Sequence, residues 1–85
     1  MKINTGEIKS RSEFVFFLNS LVIDFKANKE SWSNKTLEDF LEALESWADD
    51  MDGYYENMGL SDNLNLDAVN WRVFADLLMA ARVYE

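Results

Sequence analysis

The chain has 85 residues, of which 48% are hydrophobic and 14% aromatic, enough apolar material for one packed core, too little length for two domains, and too much hydrophobicity for a disordered segment. It contains no His and no Cys, which excludes disulfides, thiolate or imidazole metal ligands, and the Ser-His-Asp and Cys-His catalytic arrangements. Sixteen acidic against eight basic residues give a net charge of −8, the wrong sign for binding nucleic acid.

Only carboxylates, amines and hydroxyls remain for chemistry, so the composition points away from an enzyme: no catalytic residue, no cofactor and no metal is assigned. Paired carboxylates for glycoside hydrolysis would also need a cleft between them, which neighbours along one helix face do not supply. The longest apolar run, Phe14 to Leu18, is far short of the roughly 20 residues that cross a bilayer, and no cleavable signal pattern precedes it. No membrane contact is expected, and the cytoplasm is the default location.

Residues 1–9 alternate weakly through Ile3 and Ile8 and read as an N-terminal arm, either loose or briefly extended; residues 10–85 read as a single helical domain. The first helix opens at Ser10, which stands three residues before Glu13 in capping-box spacing, although Ser12 fits the cap equally well. Phe14, Phe17, Leu18, Leu21, Val22 and Phe25 recur at three- and four-residue intervals and form one apolar face. Phe16 and Ile23 lie off that face, and the pattern breaks after Ala27 at Asn28, Lys29 and Glu30.

The second helix opens after Trp32. With Ser33 as N-cap, Trp32 and Leu37 form a hydrophobic staple; with Thr36 as N-cap, Asp39 completes a box-like pair. Its apolar stripe comprises Leu37, Phe40, Leu41, Leu44, Trp47, Ala48, Met51, Tyr55 and Met58, and Gly59 is a natural residue to end it. Gly53 lies inside, where it either bends the helix or separates off a short fourth one. Leu60 to Leu66 is turn-like, and Asn65 or Asp67 caps a third helix that runs to the end. On that helix Trp71, Phe74, Ala75 and Leu78 share a face that Leu77, Met79 and Val83 widen, so it is expected to be covered on more than one side. The fold class is all-α, an antiparallel three-helix bundle.

The charge pattern is the unusual feature. Residues 1–35 carry six basic and four acidic side chains; residues 36–85 carry two basic and twelve acidic ones, with no basic residue between Lys35 and Arg72. At about 100° per residue, Glu38, Glu42, Glu45, Asp49, Asp52 and Glu56 fall on one line opposite the apolar stripe. Each successive pair is three or four residues apart, and like charges at that spacing cost about 0.2–0.5 kcal/mol per pair. The helix dipole does not offset this, because Asp49, Asp52 and Glu56 approach the negative C-terminal end.

Three explanations compete: Lys26, Lys29, Lys35 or Arg72 folds over the ridge or it is merely solvated; it docks a cationic partner; or it binds a divalent metal. The last fails on register, since a calcium loop centred on Gly53 puts Ala48 and Gly59 at the first and twelfth ligand positions. The partner-binding set is therefore Glu38, Glu42, Glu45, Asp49, Asp50, Asp52 and Glu56, with two aromatic additions: Trp32, either a staple or an exposed anchor, and Tyr54 at the edge of the apolar stripe. Trp47 and Trp71 sit on apolar faces and are assigned to the core.

The run Trp32, Ser33, Asn34, Lys35, Thr36, Leu37, Glu38, Asp39, Phe40, Leu41, Glu42, Ala43, Leu44, Glu45, Ser46, Trp47 resembles the central motif of a small bacterial family of uncharacterised function. So do Gly53, Tyr54, Tyr55 and the ending Trp71, Phe74, Ala75, Leu78, Ala80, Ala81, Tyr84, Glu85, and the likeness covers about Ile8 to the C-terminus. The resemblance implies a short helical protein without assigned activity or catalytic residues. Some similar small acidic helical proteins are immunity partners of bacterial toxins. Ridge and resemblance together give the expected function, a non-enzymatic protein-binding module that neutralises a cationic toxin through an acidic helix face. The alternative is a small structural or regulatory subunit that docks through an apolar helix face.

Overall fold

A computed structural model of the chain describes residues 3–60, 65–68 and 70–84. Among these residues there are three α-helices and no strand: α1 is Arg11–Ala27, α2 is Leu37–Asn57 and α3 is Trp71–Ala81. Single 3₁₀ turns at Thr5–Glu7 and Lys29–Ser31 precede α1 and α2. No helix among the described residues is long and apolar enough to cross a membrane.

Each helix starts where a side chain satisfies an orphan N–H of its first turn. Ser10 Oγ accepts from the Glu13 N–H, and Glu13 Oε1 reaches back to the Lys9 N–H, so Ser10 and not Ser12 is the cap. Thr36 Oγ1 accepts from the Asp39 N–H, which decides the second cap against Ser33. Asn70 Oδ1 accepts from the Val73 N–H at 2.8 Å. The third helix therefore begins later than expected. Asn65 spends its side chain closing a local turn onto the Asp67 N–H instead. The turn expected over Leu60 to Leu66 lies mostly outside the described residues.

α2 runs through Gly53 without interruption to Asn57, and no separate helix begins at Gly53. Its end is a Schellman motif: Gly59 takes φ +73°, the Leu60 N–H bonds to the Tyr55 carbonyl, and the Gly59 N–H bonds to the Glu56 carbonyl. A side chain at residue 59 would be strained in that left-handed conformation.

α3 is the axis of the bundle. Both other helices pack on it, while no Cα of α1 comes within 8 Å of a Cα of α2. Ala75 and Ala81, both without solvent exposure, allow close approach to α3. On one side Ile8, Phe17, Leu21 and Trp32 gather around Ala75; on the other, Trp47 and Tyr55 gather around Val73. Ile8 is buried and Ile3 packs against the same cluster, so from residue 3 onward the segment before α1 belongs to the packed body.

Several residues that periodicity assigned to apolar faces are exposed, Phe74 and Val83 on or after α3 among them. Leu37 is 74% exposed, Leu41 51% and Val22 52%, and Met58 at the far end of α2 is exposed too. Phe16 and Ile23, expected off the main face, are likewise exposed.

Candidate functional site

α2 is an unbroken helix of 21 residues, about 31 Å long, and this continuity makes the six carboxylates one ridge. Glu38, Glu42, Glu45, Asp49, Asp52 and Glu56 are all exposed. Among the described residues no Lys or Arg nitrogen lies within 4.0 Å of any of them.

Three of the cations have other partners. Arg72 Nε lies 3.3 Å from Asp76 Oδ2 and its guanidinium covers the Tyr55 ring; Arg82 lies 3.8 Å from Asp24 and over the Trp32 ring; Lys29 sits over Phe25. Both arginines thus serve buried carboxylates. Folding of Lys26, Lys29, Lys35 or Arg72 over the ridge does not occur.

The remaining members of the expected partner-binding set stand elsewhere. Asp50 and Tyr54 lie about 120° and 160° round the α2 axis from the ridge, on the flank that meets the C-terminal end of α3. There Tyr84 donates its hydroxyl proton to Asp50 Oδ2, and Tyr54 packs on Trp47 at 5.4 Å between ring centroids. The bond to Asp50 raises the pKa of Tyr84 above its ordinary value of 10.0.

Trp32 is not an exposed anchor. Only 6% of it is accessible; its Nε1–H donates to Asp24 Oδ2 at 2.8 Å, and its ring meets Phe25 edge-on and stacks against Phe40. Nor does it staple Leu37, because Thr36 rather than Ser33 is the cap. The Trp32 and Asn28 hydrogen bonds hold the Asp24 carboxyl below its ordinary pKa of 3.8, outweighing desolvation.

Sequence reasoning missed two buried carboxylates that fasten the helices. Asp24 ties α1 to the following connection, and Asp76 on α3 accepts the Tyr55 hydroxyl of α2 at 2.5 Å. Burial, then the bond to Asp76, drive the Tyr55 pKa far above 10.0. A signal existed: Asp24 continues the buried row of Phe17 and Leu21, and Asp76 follows Val73 by three residues, so each acid stands on an apolar face. Asn34 was also missed. Its amide nitrogen donates to the Ala81 and Tyr84 carbonyls, and its N–H to the Arg82 carbonyl, closing the C-terminal end of α3 with the α1–α2 connection.

The other surface feature is apolar. Where α1 and α2 diverge they leave an open groove of about 510 Å³, walled by Leu18, Leu21, Val22 and Phe25 on one bank and Leu37 and Phe40 on the other, with Trp32 among its lining residues. Lys26 and Lys35 line it; no Asp or Glu does.

Residues 10–85 match a family of unknown function, DUF7660, and the chain belongs to that family. No curated protein and no solved structure matches the chain. The two motif segments noted in the sequence meet in space: Trp32 and Asn34 of the first pack against and bond to the segment Ala81–Tyr84 of the second.

Proposed function

We propose that this chain is a non-enzymatic protein-binding module whose α2 ridge docks a protein with a basic surface. The observation that carries the reading is the uncompensated ridge: six exposed carboxylates in five like-charge neighbour pairs, with Arg72 and Arg82 committed to buried acids. A helix that accepts this repulsion gains a local field that steers a cation toward it and speeds encounter. Neutralisation of a cationic bacterial toxin in the cytoplasm is the specific form of this role, supported by the ridge and by the resemblance to small acidic immunity proteins. Nucleic acid is disfavoured as a partner by the same field.

The test is capture from native lysate with the wild-type chain and with Glu45→Lys, Asp49→Lys and Asp52→Lys combined. A basic protein retained by the first, released by salt and absent from the second supports the reading. An identical set of captured proteins removes the ridge as the interface.

One observation favours the second reading, a subunit that docks through an apolar face. The α1–α2 groove, with Leu37, Leu41 and Val22 exposed beside it, is a contiguous apolar surface of the kind that marks an interface more often than a solvated face.

A further inference from the structure

The α1–α2 groove differs from the rest of the molecule in charge. The chain has twice as many acidic as basic residues, yet the two charged side chains lining the groove are Lys26 and Lys35, and Lys29 stands beside it over Phe25. An occupant must therefore bring apolar side chains to Leu18, Val22, Phe25 and Phe40, and carboxylates to the two lysines.

The chain carries such a segment at the edge of the groove itself. The first two turns of α2 expose Leu37 and Leu41, and Glu38 and Glu45 stand on the adjoining face. Successive Cβ directions place Leu41 and Glu45 about 40° apart around α2, so apolar and acidic surface form one continuous strip. Groove and strip share Leu37. A two-fold axis through this edge then places the strip of each copy in the groove of the other, which is the self-complementary arrangement a closed dimer requires.

We infer that the groove is the interface of a homodimer, in which Leu37 and Leu41 of each copy fill the groove of the other and Lys35 of each copy pairs with Glu38 of the other. This rests on the groove being a docking surface; it uses the N-terminal end of the ridge, Glu38 and Glu45, and leaves its C-terminal half, Asp49, Asp52 and Glu56, beyond the contact. The pairing also removes one end of the ridge from solvent, giving Glu38 a counter-ion that it lacks within its own chain.

Sedimentation equilibrium on the full chain tests it. The chain mass is 9.9 kDa, so the dimer reads at twice that value. Leu37→Ala with Leu41→Ala, both at exposed positions, raises the dimer dissociation constant by about tenfold or more. Lys35→Glu alone and Glu38→Lys alone each weaken self-association, because each sets like charges opposite one another. A mixture of these two variants restores it, because both contacts across the axis are then between opposite charges. Circular dichroism of each variant confirms the fold. A chain that stays monomeric to about 1 mM overturns the inference, as does a dimer indifferent to the leucine substitutions, or a mixture no tighter than its components. A monomer that takes up an acidic amphipathic peptide in the groove overturns it in favour of a different occupant. A monomer that still captures a basic protein through the ridge overturns the dimer alone.

Discussion

Trp32 donates its indole proton to Asp24 eight residues earlier, and this 2.8 Å bond closes the α1–α2 connection over the core. The same carboxylate accepts from Asn28 and faces Arg82 beyond α3, so one buried acid fixes three segments of chain. Trp32→Phe keeps part of the ring contact with Phe25 and Phe40 but withdraws the principal donor. Urea unfolding should show a loss of about 2–3 kcal/mol. Asp24→Asn with Trp32→Phe should cost less than the sum of the two, by about 1 kcal/mol, because the second change no longer orphans a charge.

Asp24 also sets the acid limit of stability. Its folded pKa lies below the ordinary 3.8, so the unfolded chain binds a proton there more readily than the folded one. Its contribution is complete above the unfolded value and is lost as pH falls through the lower folded value. Urea midpoints measured between about pH 5 and pH 2 should fall more steeply for the wild type than for Asp24→Asn.

Tyr55 and Asp76 make the corresponding tie between α2 and α3, with the opposite pH dependence. Burial and the carboxylate raise the Tyr55 pKa, so its contribution is complete below 10.0 and declines as pH rises above that value toward the folded one. Tyr55→Phe leaves Asp76 with Arg72 and should cost about 1.5–3 kcal/mol near neutrality. Its loss of stability above about pH 10 should be shallower than that of the wild type.

Gly53 is the position where stability can be raised without touching a contact. It lies in the interior of α2, and a Cβ built there meets nothing within 4 Å. Gly53→Ala should stabilise the chain by about 1 kcal/mol, read as a higher urea midpoint with an unchanged slope. Gly59→Ala, at φ +73°, should destabilise it by about 1 kcal/mol.

The three helices were legible because each carries a three-to-four periodicity bounded by a side-chain cap, and the ridge was legible because it needs only helix continuity. What periodicity could not supply was the partner of each face. Leu37, Leu41 and Val22 repeat at core spacing, but whether a repeating apolar face is covered depends on where the neighbouring helix lies, and α1 and α2 diverge. Trp32 was ambiguous for a related reason: its partner Asp24 is an acid on an apolar face, and an acid reads locally as a solvent position. Asp50 and Tyr54 were grouped with the ridge by nearness in sequence, although the angle around α2 separates them from it. The cap at Thr36 was one of two that the local pattern allowed, whereas Asn70 was not read as a cap because Asn65 and Asp67 offered the same side-chain chemistry earlier in the connection.

The central proposal is that the α2 ridge is a docking surface for a basic protein. Its most direct measurement is a titration of the cationic protein retained by the wild-type chain against the wild type and against the variant with Glu45, Asp49 and Asp52 changed to Lys, at low and high salt. Charge reversal is expected to lower affinity by about a hundredfold, and the wild-type affinity to weaken as salt is added. Equal affinity for the two chains, or a wild-type complex indifferent to salt, contradicts the proposal.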